Sequence, residues 1–236
     1  ILYYYCTNHS GMGSSTSQIT DETKADPYAW KNVLALPLFG SNSDLSNSIN
    51  STSTTKVMTN VGNAAASSDT SNFYNGSFEF DGTGDYLTQD STYTLGTGDF
   101  TVEAWIYTNT SNQRLEFWQN SSLIGGLVIS TNFNAGDAGS IIVRDSPPGT
   151  GWTVLLRGNT VIKQGWNHCV WTRESGTLKF YVDGVLDTSS VASAIDSSPM
   201  ISVGAWPAAG GYTGNYSFNG YLQDVRVYKG VAKYTS

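Results

Sequence analysis

The chain has little charge, little cysteine and no long apolar run, and each shortage excludes something. Charged residues are 13% of its 236 residues, about half of the roughly 25% usual in soluble domains. There are 12 Lys+Arg against 19 Asp+Glu, a net charge of −7. The basic residues form no cluster, which excludes phosphate-driven nucleic-acid binding. The two cysteines, Cys6 and Cys169, cannot build a disulfide framework. They fall in different units, so no bridge between them is expected. No apolar run reaches the roughly 18 residues of a membrane-spanning helix, so no membrane insertion is expected. Nothing reads as a signal peptide. The first residues, Ile1-Leu2-Tyr3-Tyr4-Tyr5, are already strand-like, and the sequence reads as the tail of a longer polypeptide.

What is present is aromatic, glycine-rich and hydroxyl-rich. Aromatics are 13%, with 7 Trp and 14 Tyr, and Gly is 25 of 236. Hydrophobic residues at 39% can fill a core. Residues 1–20 form a first unit, and 21–236 a second. Val33-Leu34-Ala35-Leu36-Pro37-Leu38 reads as a first strand. In the window 41–60, 14 of 20 residues are Ser, Thr or Asn, a loop composition with little to bury. From Phe78 the pattern sharpens. Phe100, Val102, Ala104 and Ile106 alternate with Glu103, Trp105 and Tyr107, the period of a strand with one buried face. Further strands are expected at 85–87, 114–119, 123–130, 140–144, 152–157, 167–173, 177–182, 185–188, 200–206 and 216–228. Asp183-Gly184 between two apolar runs is a type I′ hairpin signal, because Asp and Gly both tolerate positive φ. Many short strands without a convincing helix imply an all-β sandwich.

Five stretches resemble laminin G-like domains in the order that family has them. They are Phe78–Leu87, Phe100–Ile106, Gly165–Arg173, Leu178–Gly184 and Phe218–Tyr228, over about 28–232. The resemblance implies a concanavalin A-like jelly roll of two packed antiparallel sheets. It also implies glycan or protein-surface binding, and in some members calcium. The ending Asp224–Tyr234 resembles, more narrowly, repeats in structural proteins of marine tailed phages and in large bacterial adhesins. The segment Tyr5–Gly13 resembles the copper-ligand loop of cupredoxins. A blue-copper centre needs a thiolate, two imidazoles and a weak axial ligand. Cys6, His9 and Met12 supply only part of that set, so no copper is expected and 1–20 reads as the end of a preceding β domain.

Glucanases on this kind of sandwich need two carboxylates flanking the scissile bond. None of Glu22, Glu79, Glu103, Glu116 and Glu174 opens the Glu-x-Asp-x-x-Glu strand of those enzymes, since even Glu79, with Asp81 two residues on, is followed by Gly84 where the second Glu would stand, so no catalytic residue is assigned. Glu103 is expected to be an exposed strand residue. His168 is expected to be a structural residue of a central strand and Cys169 an inert buried thiol. No cofactor is required. Calcium is the one metal considered, since it takes several oxygen ligands. Asp81 and Asp85 could offer them, joined by Asp224 if the first and last strands pair as the resemblance implies. The alternative is that Asp81 and Asp85 shape a turn. Aromatic residues on loops are the glycan-binding candidates, because flat rings pack on sugar C–H faces. They are Trp118, Trp152, Trp206, Tyr212 and Tyr216.

The function expected is a non-enzymatic structural and adhesive module of a virion, in a fibre or appendage. It would sit on the virion surface or extracellularly and bind host-surface glycan or a neighbouring virion subunit. The alternative is a secreted carbohydrate-binding module attached to a catalytic domain, with a jelly-roll hydrolase disfavoured by the missing Glu-x-Asp-x-x-Glu pattern. Because 41–60 is too polar to make its own core, a homo-oligomer is expected to order it. A trimer is favoured by the fibre resemblance.

Overall fold

The computed structural model describes residues 26–90, 93–109, 116–119, 127–131, 141–145, 153–160, 162–191, 200–204 and 218–235. The unit expected at 1–20 lies outside them. A 3-10 turn at Ala29–Lys31 leads into β1 (Asn32–Leu36), and a one-turn helix α1 (Ser46–Ile49) follows. Then come β2 (Met58–Val61), β3 (Ala65–Ser67), β4 (Ser77–Asp81), β5 (Tyr86–Gln89), β6 (Phe100–Thr108) and β7 (Glu116–Gln119). They are followed by β8 (Leu127–Thr131), β9 (Ile141–Asp145), β10 (Thr153–Arg157) and β11 (Gly165–Glu174). The last are β12 (Thr177–Val182), β13 (Val185–Val191), β14 (Met200–Val203) and β15 (Asn219–Lys229).

These strands make two antiparallel sheets, as the all-β reading requires. The first runs β13-β12-β11-β6-β15-β4-β3, with β1 also on β15. The second runs β10-β9-β8-β7-β14-β5-β2. Alternation sets which side chains meet between them. Phe100, Val102, Ala104 and Ile106 of β6 are fully buried, and they pack with Leu34, Leu36, Phe78, Phe80, Trp171, Phe180, Leu222 and Val225 from the same sheet. Leu87, Ile129, Leu156 and Val203 close the core from the other sheet. Cys169 lies in it as a free thiol, and burial pushes its pKa well up, so it is inert.

The chain crosses between the sheets at Asp81–Asp85, because β4 belongs to the first sheet and β5 to the second. The positive φ of Gly82 and Gly84 allows that corner.

The polar segment 41–60 is ordered by its own chain, which corrects the expectation that a neighbouring subunit orders it. Asp44 is the pivot. Its Oδ1 accepts from the amides of Ala35 at 3.0 Å and Ser46 at 2.9 Å, and its Oδ2 from the Lys56 amide at 2.9 Å. Asn50 Nδ2 donates to the Asn32 carbonyl at 2.9 Å, and Lys56 Nζ to the Val33 carbonyl. Asp44, Ser46, Asn50, Ser53 and Lys56 are all buried. The Ser and Asn side chains bond to each other and to the backbone of 32–35, so hydrogen bonds do here what apolar area does elsewhere. The trimer expectation loses this support and rests on resemblance alone.

Candidate functional site

The three carboxylates considered for calcium do not come together. Register places Asp81 opposite Asn219 on β15, and Asp224 lies five residues further along, roughly 17 Å at strand rise. Asp224 sits at a bulge with φ 55°, where the β15 edge changes partner from β4 to β1. Its two oxygens accept from Arg226 Nε and Nη2 at 2.9 and 2.8 Å. Asp81 and Asp85 do the work of a turn. Asp85 Oδ2 accepts from the Asp81 amide at 2.8 Å, and its Oδ1 from the Asn63 amide at 2.8 Å. Asp81 Oδ1 accepts from the Thr83 amide at 2.6 Å, and its Oδ2 from Asn63 Nδ2 at 3.0 Å. Asp224 is therefore corrected from a shared ligand to half of a buried ion pair.

Of the aromatic candidates, Trp152, Trp206, Tyr212 and Tyr216 lie outside the described residues. Trp118 is on β7, opposite Val128 and Ser202, and Ser202 stands opposite Thr88.

The most developed polar arrangement is one that sequence reasoning missed. Glu103 is 4% exposed, not a solvated strand residue. It stands opposite Val170 and Arg226 on the outer face of the first sheet. The C-terminal tail folds back over it. Lys233 Nζ donates to Glu103 Oε1 at 2.8 Å, and the Tyr234 hydroxyl to Oε2 at 2.8 Å. Lys233 also donates to Asp26 Oδ2 at 3.1 Å and lies 4.1 Å from the centre of the Tyr228 ring. The Tyr228 hydroxyl donates to the same Asp26 oxygen at 2.6 Å. One ammonium thus ties residue 26 to the tail and to a central strand. Burial pushes the Glu103 carboxyl up, but Lys233, His168 and Arg226 outweigh it and hold it at about 2.

His168 is buried beside this group, as its structural reading requires. Its ring stacks on Trp105 with centroids 5.0 Å apart, and its amide donates to Asp183 Oδ1 at 2.8 Å. Burial lowers its pKa against the pull of Glu103. The group holds a carboxylate and an imidazole, but both Glu103 oxygens are taken by the tail. Only the tertiary fold brings Lys233 and Tyr234 to Glu103, across about 130 residues of sequence.

The profile of the concanavalin A-like lectin/glucanases superfamily matches residues 81–233. The chain belongs to that superfamily. No curated protein matches it. Among solved structures it is similar to botulinum neurotoxin binding domains. The serotype D/C binding domain has a TM-score of 0.60 at 14% identity, covering 87% of this chain and 50% of the toxin chain. The type C toxin, described as entering cells by interaction with two ganglioside molecules, has 0.61 at 13%, with 87% and 50% covered. The serotype D ligand-binding domain in complex with N-acetylneuraminic acid has 0.59 at 14%, with 87% and 49% covered. The chain thus spans about half the length of these toxin chains, and the likeness is one of fold.

In this concanavalin A-like domain the outer face of the first sheet is not uniformly open. Gln223 pins the loop at 72–76 over it. Its Oε1 accepts from the Phe73 amide at 2.9 Å, and its Nε2 donates to the Phe73 carbonyl at 2.7 Å. Phe73 then packs edge-on against Trp105 at 5.1 Å. Loop and tail together cover Trp105 and His168. No sequence signal marked Gln223, because a lone Gln on a strand is ordinarily solvated. Among the described residues no helix is long and apolar enough to cross a membrane.

Proposed function

We propose that this concanavalin A-like domain is a non-enzymatic adhesive module that binds glycan at an extracellular or virion surface. The observation that carries this reading is the state of Glu103. The carboxylate on a central strand is 4% exposed and held by Lys233 and Tyr234 under the folded-back tail, which leaves it out of reach of a sugar. Hydrolysis on such a sandwich needs two carboxylates with access to the bond. The superfamily supplies the lectin precedent, and the toxin domains of like fold include structures described with ganglioside and sialic acid. The low charge, the Ser/Thr/Asn-rich composition and the resemblance at 218–234 support a virion fibre or appendage over a carbohydrate-binding module on a secreted enzyme.

The test is a glycan array probed with the purified chain, alongside turnover assays on polysaccharides. Selective retention of defined oligosaccharides without turnover is the expected result. Turnover that disappears in Glu103→Gln or in Glu79→Gln would overturn the reading.

A further inference from the structure

The outer face of the first sheet carries, beyond the loop and tail, a row of side chains that none of the structural roles above uses. Register aligns Trp166 of β11 with Tyr107 of β6, Tyr107 with Tyr221 of β15, and Tyr221 with Glu79 of β4. Three large aromatics and a carboxylate thus cross four adjacent strands side by side. The residues between them, Ile106, Thr108, Phe78, Phe80, Gly220 and Leu222, are buried on the core side. Trp166, Tyr107 and Glu79 are half-buried, and Tyr221 is 8% exposed.

A second row runs beside it. Asn109 Nδ2 donates to Asn219 Oδ1 at 2.8 Å, Asn219 stands opposite Asp81, and Asp81 accepts from Asn63. The outer face of an antiparallel sheet is ordinarily a polar, solvated surface, and three adjacent aromatics on central strands depart from that.

We propose that this strip, Trp166–Tyr107–Tyr221–Glu79 with Asn219 and Asp81 alongside, is a saccharide-binding surface for neutral glycans. The inference rests on the adhesive reading above and gives it a place and a chemistry. Ring faces pack on the C–H faces of a pyranose, and carboxylates and amides accept from and donate to its hydroxyls. Glu79 is engaged by the Tyr221 hydroxyl at 3.3 Å, which leaves acceptor capacity on both oxygens. An apolar protein partner would desolvate Glu79 with only the Tyr221 hydroxyl to pair it, at a cost that sugar hydroxyl groups avoid.

The ring geometry narrows the ligand. Tyr107 meets Trp166 at 5.5 Å and 66°, and Tyr221 at 5.6 Å and 77°. Rings edge-to-face with both neighbours cannot share one plane, so the strip is corrugated. A corrugated strip fits a single oligosaccharide chain rather than a flat crystalline polysaccharide. Two carboxylates in a chain of net charge −7 repel an acidic sugar, so neutral glycans are selected over sialylated ones.

The experiment is a glycan array of matched neutral and sialylated oligosaccharides. It is run on the whole chain and on Tyr107→Ala, Trp166→Ala, Trp166→Phe, Glu79→Gln and Trp118→Ala, with melting curves recorded for each. Neutral glycans should bind at least about tenfold more tightly than their sialylated partners. Tyr107→Ala and Trp166→Ala should weaken binding about tenfold or more, and Trp166→Phe should restore most of it. A tenfold change corresponds to about 1.4 kcal/mol. Glu79→Gln leaves packing intact and should narrow the gap between neutral and sialylated glycans. Binding that survives the strip variants and is lost in Trp118→Ala would overturn the strip and leave the adhesive reading standing. Preference for sialylated glycan would overturn the role given to Glu79 and Asp81. No glycan bound by the unaltered chain at millimolar concentration would overturn both strip and reading.

Discussion

Glu103 shows how far one residue's environment can depart from its sequence position. Its folded pKa of about 2 lies below the ordinary 4.5. A depressed carboxylate contributes stability that is present above the unfolded value and lost as pH falls through the folded one. The window is therefore about pH 4.5 down to 2, and the loss over it is roughly 3 kcal/mol. His168, also depressed, acts in the same direction from its ordinary 6.5 downward. Thermal melting temperature should fall steadily from pH 7 to pH 3. Glu103→Gln should melt lower at pH 7, by roughly 3 kcal/mol of stability, and lose the part of the acid dependence that lies below pH 4.5. His168→Phe should flatten the upper part alone. A variant pair with unchanged pH profiles would show that the tail latch contributes nothing.

At the scale of elements, the turn between β12 and β13 is where local sequence and fold agree most closely. Asp183 and Gly184 have φ of 51° and 80°, the primed turn that Asp-Gly signals. Asp183 has a second role that no turn rule contains, accepting from the His168 amide at 2.8 Å and tying the turn to β11. A Cβ at Gly184 would meet nothing within 4 Å, so the cost of Gly184→Val is backbone strain alone. That cost is about 1–2 kcal/mol, read as a lower denaturation midpoint with an unchanged slope. An unchanged midpoint would mean that the turn accommodates a β-branched residue by another conformation. The strands β2 and β3 were invisible to pattern reading, because Met58-Thr59-Asn60-Val61 and Ala65-Ala66-Ser67 are short and carry few β-branched or aromatic residues. They are held as edge strands by β5 and β4.

For the whole molecule, the telling segment is 41–60. Bound to 32–35 by side-chain hydrogen bonds, it should resist limited proteolysis equally at nanomolar and micromolar protein, where an oligomer and its protomer would differ. Asp44→Ala removes four accepted hydrogen bonds and should expose the segment to cleavage first, before global unfolding. Protection that rises with concentration would restore a subunit contact as its cause. The clamp of Asp26, Lys233 and Glu103 works at the same scale, since it fastens both ends of the described domain to one strand of the sandwich.

The sequence by itself determined the strand-rich class, the core face of β6, the primed turn and the inert Cys169. These follow from periodicity and turn chemistry, which act over a few residues. The resemblance in five ordered stretches carried the sandwich and its superfamily. Only the tertiary structure decided which polar residues are buried and what they touch. Glu103 meets Lys233 and Tyr234 because the tail folds over the sheet, and Asp224 is parted from Asp81 because register sets Asn219 opposite it. The row Trp166–Tyr107–Tyr221–Glu79 exists because β4, β6, β11 and β15 lie side by side in that order. Alternation within one strand names the face a residue takes, but the neighbour across the ladder depends on strand order and register, which are set by contacts far apart in the chain.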